Sequence, residues 1–465
     1  FTGVLEIEDV ISEKVAKVLL PQLTGEEQRR LGRRGTNNTE AYQAYLRGRY
    51  FANQFSDESL RKALESYEQA VRLDPGYALP HVGIADYYIW SVIFGEIPSR
   101  EGFPKAKEAI ENALRIDELL GEAYALLSFI NLLYDWNWPE AERLAKRALE
   151  LNPNYYFAHE AYSAFFASQG IFKQAREEIL RAEELDPLSP RAKLMTSWTM
   201  YQTREFPRAL EKAIQANEMQ KDFAQGYLHL GNTLSANGRA KEAVDVLRKS
   251  IAFWKESGMP RYMLCFALVD DGRPDEARAV LEEMLEISQR RYMMPYYVAV
   301  AYAAVGETDA AFEWFEKAVE EKNVWLIWFG SDPKLDDLRR DARYRKILER
   351  IGNPMAARLA AGLVAGGETT AAGAQKSIAV LPFKILTSTD EGGAEDEYLS
   401  IGLADALTMR LSNVRRFLVR PTSSVLSFGS AETEPFSAGR ELGVDYVIDG
   451  NIRRVGDRIR VAAQL

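Results

Sequence analysis

Small residues recur along the middle of the chain with a period of 34 residues. One position of this period holds alanine six times without a slip, at Ala141, Ala175, Ala209, Ala243, Ala277 and Ala311. Five residues earlier, four of these windows hold glycine, at Gly170, Gly238, Gly272 and Gly306. Glycine is expected where a helix ends in a left-handed turn, and alanine where two helices cross too closely for a larger side chain. The pattern therefore predicts pairs of helices stacked into a solenoid.

The period and its helix–turn–helix pattern resemble the tetratricopeptide repeat. Ala63 and Ala106 continue the register upstream, so we predict about eight repeats from about Thr39 to Lys322. We assign residues 35–330 to this solenoid. Residues 331–354 have a helical period and strong charge, and we predict a capping helix there because the end of a solenoid needs a polar cover. Cys265 and His159 fall on packing positions of the first helix of a repeat, so both are expected to pack between helices.

After residue 354 the pattern changes. Residues 355–375 are rich in Gly, Ala and Thr, which is typical of a flexible linker. From residue 376 onward, apolar runs and amphipathic stretches predict the order β-α-β-α-β-β and hence a small α/β domain. The final run, Arg458–Leu465, alternates polar and apolar residues as a half-buried strand does. The predicted fold is therefore mainly α, a helical solenoid joined to a small α/β domain.

Composition excludes several classes of function. The net charge of −10 argues against nucleic-acid binding by the chain's own surface, which needs an excess of Lys and Arg. One cysteine and three scattered histidines provide neither a disulfide framework nor a metal site, and we expect no cofactor. Phosphate-loop and G-x-S-x-G motifs are missing from the sequence, which predicts a protein that is not an enzyme. Without a signal peptide or an apolar run of roughly 20 residues, the sequence predicts a cytoplasmic protein with no membrane contact.

Three stretches near the C-terminal end carry a second resemblance. They are "SIAVLPF" from Ser377, "EYLSIGLADALTMRLS" from Glu397 and "RELGVDYVIDGNIRRVGDRIRVAAQL" from Arg440. They resemble the TolB-like N-terminal domain of bacterial regulators. In that family a helix like "DVISEKVAKVLLPQLTGEE" and then repeats beginning like "EAYQAYLRGRY" follow, and here both stand at the other end of the chain, at residues 9–27 and 40–50. The resemblance implies that residues 376–465 and 1–34 are the N-terminal and the C-terminal helical parts of one TolB-like domain.

Relative to that family, the order of the segments is permuted, and one strand with its turn is missing between Leu465 and Phe1. Three explanations are open: a genuine circular permutation, a sequence that joins its fragments in the wrong order, and halves of two neighbouring domains. We favour the second, because a natural permutant would hardly tolerate the loss of a strand.

The first helices of stacked repeats line a concave groove. The side chains predicted to face it, and to bind a protein or peptide, are Phe157, Leu194, Trp198, Tyr201, Leu228, Asn232, Tyr262, Phe266 and Tyr296. Some of these aromatic residues have an alternative role in packing between repeats. Asn232 matches an asparagine with which such repeats grip a C-terminal carboxylate, but Leu228 stands where a lysine is needed, so we reject a carboxylate clamp.

In the resembling family these modules accompany a winged-helix DNA-binding domain of the CadC type, a class III adenylate cyclase domain or a Ser/Thr kinase domain. The sequence shows none of the three. The resemblance implies a non-enzymatic protein-interaction and sensing region of a bacterial transcriptional or signalling regulator, which contacts DNA only through a domain absent from this chain. A stand-alone scaffold or envelope-assembly protein, and the regulatory half of an adenylate cyclase or kinase, are the alternatives. Formation of a homodimer is also open.

Overall fold

The computed structural model describes residues 35–52, 57–153, 155–185, 189–221, 223–360, 376–382, 384–385, 417–419, 425, 428, 434–442, 444, 446–455 and 458–464. The chain divides into two compact units, residues 1–365 and 366–465. Residues 1–34, most of the predicted linker and the helix expected over 395–414 lie outside the described residues. The predicted domain boundaries, including the union of 1–34 with 376–465, therefore stay predictions.

Within the described part of the first unit, helices follow one another in antiparallel pairs. The pairs are α1 Thr39–Ala52 with α2 Asp57–Leu73, α3 Ala78–Ile93 with α4 Ser99–Ile116, α5 Gly121–Ile130 with α6 Trp138–Leu151, α7 Tyr156–Ser168 with α8 Phe172–Leu185, α9 Pro190–Gln202 with α10 Phe206–Met219, α11 Ala224–Ala236 with α12 Ala240–Phe253, α13 Gly258–Asp270 with α14 Pro274–Ser288, and α15 Pro295–Ala304 with α16 Thr308–Glu320. A π-helical turn, Asn131–Asp135, extends α5. These eight pairs confirm the repeat number and register that the sequence predicts.

The alanines of the 34-residue register hold the two helices of each repeat together. All six of them, from Ala141 to Ala311, are at most 1% exposed. A small polar side chain of the first helix donates a hydrogen bond to the alanine carbonyl, as Ser163 Oγ does to Ala175 O at 2.8 Å and Ser197 Oγ to Ala209 O at 2.7 Å. Cys265 takes the same place, 3.5 Å from Ala277 O. This contact confirms that Cys265 is a buried packing residue.

His159 is held by polar contacts rather than by packing alone. Its ring lies 2.6 Å from Glu178 through Nδ1 and 3.1 Å from the Pro153 carbonyl through Nε2. The expectation of a simple packing residue was therefore incomplete, because helix periodicity does not reveal a carboxylate on the neighbouring helix.

The turn inside each repeat requires a left-handed backbone at one position. Gly170, Gly238, Gly272 and Gly306 have φ of 72°, 73°, 75° and 81°. Trp136 and Arg204 occupy the same place in the period and take φ of 54° and 65°. A left-handed residue other than glycine costs roughly 1–2 kcal/mol, so the rest of the structure must offset this strain at Trp136 and Arg204.

The crossing at Ala243 offers a direct test of the register. Leucine at Ala243, which is 0% exposed, is expected to destabilise the fold by about 1–3 kcal/mol through overpacking. Urea denaturation of A243L measures this as a lower midpoint. Leucine at Ala252, an exposed residue of the same helix α12, is the matched control and should leave the midpoint unchanged. Equal midpoints for A243L and the parent protein would contradict the assigned register.

After α16 the chain leaves the repeat pattern. Two 3₁₀ helices, Val324–Trp328 and Pro333–Arg340, precede α17 Ala342–Arg350 and α18 Met355–Ala360. Arg343 in α17 reaches Asp309 of the last repeat at 2.8 Å, and a capping role for residues 331–354 stays a prediction. The residues before α17 lie elsewhere, inside the concave face of the array.

The second unit contains strands β1 Lys376–Val380, β2 Lys384–Ile385, β3 Phe417–Val419, β4 Tyr446–Val455 and β5 Arg458–Gln464, with helix α19 Pro435–Leu442. The strand order is β2-β4-β1-β3, and β5 runs antiparallel to β4 from Asp449↔Gln464 to Val455↔Arg458. Strand β1 pairs in parallel with β3 and β4. Ala379, Leu381, Val425 and Ala438 form its buried cluster. The unit is α/β, as the C-terminal pattern predicts.

Candidate functional site

The concave face of the repeat array is partly filled by the chain itself. We call residues 324–340, the two 3₁₀ helices and the turn between them, the inner segment. It contacts residues of α9 and α11 that lie 100 or more positions earlier in the sequence. An apolar core surrounds it, since Leu326, Ile327, Phe329 and Leu335 are all 0% exposed.

Polar contacts anchor the second half of the inner segment. Lys334 Nζ donates hydrogen bonds to Tyr201 OH at 2.8 Å and to Asn232 Oδ1, and Tyr201 OH donates to Asp332 Oδ1 at 3.2 Å. Arg204 forms a two-pronged ion pair with Asp336 at 2.6 and 2.7 Å. Arg204 also stands at the left-handed turn position that glycine fills in other repeats.

The environment of Lys334 disfavours its charge. Burial lowers the pKa of Lys334 to about 8, although the carboxylates of Asp332 and Asp270 act in the opposite direction. The ammonium group also lies over the Tyr201 ring at 4.6 Å and the Phe266 ring at 5.7 Å. Lys334 therefore occupies the space beside Asn232 from within the same chain.

Aromatic contacts anchor the first half of the inner segment. Trp325 and Trp328 meet the indole of Trp198 edge to face, with ring centroids 5.7 and 5.9 Å apart. Trp198 also stacks on Tyr201 at 5.6 Å and meets the His229 ring at 6.0 Å. Trp198 is thus the centre of an aromatic cluster that joins the repeats to the inner segment.

The array curls until its early and late repeats touch. Ile93 O, at the end of α3, accepts hydrogen bonds from Tyr297 OH and from Trp325 Nε1, both at 3.3 Å. Further along, Trp138 Nε1 donates to Ile351 O at 3.2 Å, and Asn353 Nδ2 to Ser168 O at 3.2 Å. The superhelix therefore closes upon itself, and the groove ends where the inner segment begins.

The part of the concave face that the inner segment leaves open forms a cavity of about 720 Å³. Twelve aromatic side chains line it, among them Trp90, Tyr155, Phe157 and Trp198. Val324, Trp325 and Trp328 of the inner segment supply one wall. A volume of this size suits a compact ligand or a few side chains.

Two charged groups in the cavity wall, Arg191 and Glu160, form an ion pair. Arg191 donates to both oxygens of Glu160, at 3.2 and 2.6 Å, and its guanidinium lies over the Trp90, Tyr156 and Phe157 rings at 4.9, 5.5 and 5.7 Å. Asp86 accepts a hydrogen bond from Trp90 Nε1 at 2.9 Å. Burial raises the pKa of the Asp86 carboxyl, and the positive charge of Arg191 offsets only part of this effect.

His229 differs from these groups. Burial lowers its pKa to about 4, so its imidazole is neutral at physiological pH. The ring lines the cavity beside Trp198, and no described residue forms a hydrogen bond with either of its nitrogens. A neutral imidazole offers one donor and one acceptor to whatever enters the cavity.

The nine residues predicted to form the groove fall into three groups. Phe157, Leu194, Trp198 and Leu228 line the cavity. Tyr201, Asn232 and Phe266 meet Lys334 of the inner segment. Tyr262 and Tyr296, 1% and 0% exposed, pack in the core against Tyr297 and Phe315, which is the alternative role considered for the aromatic residues. A role in partner binding stays a prediction for all nine.

Sequence reasoning missed the residues that shape the cavity most, which are Asp86, Glu160, Arg191, His229, Trp325 and Trp328. One signal for the last two was available. The stretch "VWLIWF" at Val324–Phe329 is apolar on all sides, without the one-sided period of a surface helix, and such a stretch is typical of a buried segment.

Residues 186–330 match the tetratricopeptide-repeat family. The helical array is a tetratricopeptide-repeat solenoid. Repeats of this kind mediate contacts between proteins. In the described residues no helix combines the length and the apolar character that crossing a bilayer requires.

Curated proteins of two kinds that are similar to this chain are a transcriptional regulator and a putative adenylate cyclase. Transcriptional regulator HilA of Salmonella typhimurium is 26% identical over 340 residues, which cover 71% of this chain and 59% of HilA. The chain thus spans less than two thirds of that relative. Putative adenylate cyclase 3 of Rhizobium meliloti is 35% identical over 92 residues, or 20% of this chain and 15% of the cyclase.

Among solved structures, yeast Tom70 aligns with a TM-score of 0.40 at 17% identity, covering 70% of this chain and 66% of Tom70. The type IV pilus biogenesis factor PilW aligns with a TM-score of 0.36 at 19% identity, covering 49% of this chain and 99% of PilW.

Proposed function

We propose that this chain is the non-enzymatic interaction and sensing region of a bacterial transcriptional regulator, and that it binds a protein or peptide in the open part of its concave face. The observation that carries the proposal is the aromatic cavity of about 720 Å³ beside Trp198. The similarity to HilA over 71% of the chain supports the regulatory context. With a net charge of −10, DNA contact is assigned to a separate domain, and we place the protein in the cytoplasm.

The second candidate is the regulatory part of an adenylate cyclase. It is favoured by the 35% identity to the Rhizobium protein over 92 residues. In both candidates the repeats bind a partner and the catalytic or DNA-binding output lies in another domain. We also propose that the second unit is the N-terminal part of a TolB-like domain, which residues 1–34 complete in permuted order.

A charge placed in the cavity tests the proposal. Met195 lines the cavity and is half-buried, so a glutamate there is tolerated by the fold but must lose its water when a partner covers it. We expect M195E to weaken, by about ten-fold or more, the binding of peptides enriched from a random heptapeptide phage library on the wild-type chain. Isothermal titration calorimetry provides the dissociation constants.

The matched control is A252E, which adds the same charge at an exposed position of α12 and should bind as the wild type does. If M195E binds the enriched peptides with unchanged affinity, the partner does not occupy this cavity and the proposal fails.

A further inference from the structure

The side chains that line the cavity beside Trp198 indicate the chemistry of the partner. We infer that the partner inserts a short segment with an uncharged aromatic anchor, tryptophan or tyrosine, whose N–H or O–H donates a hydrogen bond to the imidazole of His229. This inference rests on the proposed function and narrows it.

The first support is length. An extended peptide that follows the whole groove is excluded, because Trp328 and Lys334 of the inner segment already occupy the surface around Tyr201 and Asn232. The open part of about 720 Å³ has the size of cavities that bind compact ligands. A short segment or a chain end fits this space, and a long strand or helix does not.

The second support is that the chain's own inner segment binds the groove through aromatic side chains. Trp325 and Trp328, three residues apart in a 3₁₀ helix, are side chains by which the first half of the inner segment contacts the groove, and both meet Trp198 edge to face. Edge-to-face aromatic pairs are favourable beyond the area that they bury. The same wall continues into the open cavity, where Trp90, Tyr155 and Phe157 present further rings.

The third support is charge. The charged groups of the wall already have polar partners: Arg191 pairs with Glu160, Glu122 accepts a hydrogen bond from the Asn152 amide at 2.8 Å, and Arg49 donates one to Tyr45 OH at 3.3 Å. A charged anchor would lose its hydration on entering a cavity that twelve aromatic side chains line, which disfavours Lys, Arg, Asp and Glu at this point.

The fourth support is His229. In the described part of the chain it is a polar cavity residue whose ring nitrogens have no hydrogen-bond partner, and Trp198 beside it holds the ring edge to face. An indole N–H or a phenol O–H that enters the cavity satisfies the unprotonated nitrogen, whereas a phenylalanine ring cannot. The site is therefore expected to distinguish tyrosine from phenylalanine.

The experiment combines the anchor with His229. Peptides are enriched from the heptapeptide phage library on the full chain, the central Trp or Tyr is replaced by Phe, and each form is titrated against wild type, H229L and H229Q. For the wild type we expect Tyr→Phe to weaken binding by roughly five-fold or more. The loss should vanish in H229L and persist in H229Q, which keeps a hydrogen-bond acceptor. Melting curves verify that both variants are folded, and H229A, which also removes the acceptor, replaces H229L if H229L does not fold.

The outcomes separate the inference from the proposed function. Enriched peptides that are sensitive to M195E but carry charged anchors, or whose Tyr→Phe loss is the same in H229L, overturn the aromatic anchor and leave the peptide site standing. Failure to enrich any peptide that M195E weakens overturns both. A neutral fluorophore, N-phenyl-1-naphthylamine, that binds the wild type but not M195E in the absence of any such peptide identifies a small-molecule pocket instead.

Discussion

A chain that ends at Asn323 is expected to lose the folded repeat array. Residues 324–355 contribute a dozen buried apolar side chains to the main core, including Phe329, Tyr344 and Ile347 at 0% exposure. Each buried side chain of this size stabilises the fold by roughly 1.5–3 kcal/mol. The sum exceeds the roughly 5–15 kcal/mol by which native domains are stable. Circular dichroism should show loss of the cooperative thermal transition.

The control for this truncation is a chain that ends at Ala360, which keeps the inner segment and α17 and should melt as the full chain does. A smaller change isolates the same core. F329A removes a ring that stacks on Tyr344 at 4.4 Å and meets Phe315 at 4.8 Å, and should cost about 3–5 kcal/mol. If the chain that ends at Asn323 melts cooperatively at the same temperature as the full chain, the inner segment is not part of the core.

The second large effect is expected at the buried ion pair of the cavity. R191M leaves Glu160, 7% exposed, and Asp86 without their cation, and should destabilise the protein by about 3–5 kcal/mol at pH 7.5. Burial already raises the pKa of Asp86, and loss of Arg191 raises it further. The folded variant then binds more protons than the unfolded chain in weak acid, so its deficit relative to wild type should shrink between pH 7.5 and pH 5.5.

Two further variants give this prediction its controls. The double variant E160Q/R191M removes the uncompensated charge of Glu160 and should recover part of the loss. R248M breaks the exposed pair of Arg248 with Glu276, whose side chains are each 49% exposed, and should cost no more than about 1 kcal/mol. Urea denaturation at both pH values measures all four proteins. If R191M and R248M lower the free energy of unfolding by the same amount, the pair of Arg191 with Glu160 is not desolvated.

The turn position of the repeats is only partly predictable from the sequence. Four glycines predict it correctly, and the same period leads to Trp136 and Arg204. Nothing in the local sequence explains an arginine in a left-handed turn. In the folded protein Arg204 forms an ion pair with Asp336, which lies 132 positions later.

For the groove too, the sequence predicts one part of the arrangement and leaves another part open. Periodicity places Trp198, Tyr201 and Asn232 on the first helices of their repeats, and the structure puts all three on the concave side. Periodicity does not reveal what lies opposite them. Residues 331–354 have the charged helical pattern of a cap, and α17 does contact the last repeat through Arg343 and Asp309. The residues just before α17 fill the groove.

The sequence by itself determined the repeat unit, because a glycine turn and an alanine crossing are local requirements that recur every 34 residues. It also determined the α/β character of the C-terminal unit through the alternation of its strands. Only the tertiary structure decided where the solenoid closes, what occupies its concave face and which charges meet in the cavity. Small rotations between successive repeats add up along the array until Ile93 meets Trp325 and Trp138 meets Ile351. The total rotation over eight repeats cannot be predicted from the sequence of any single repeat.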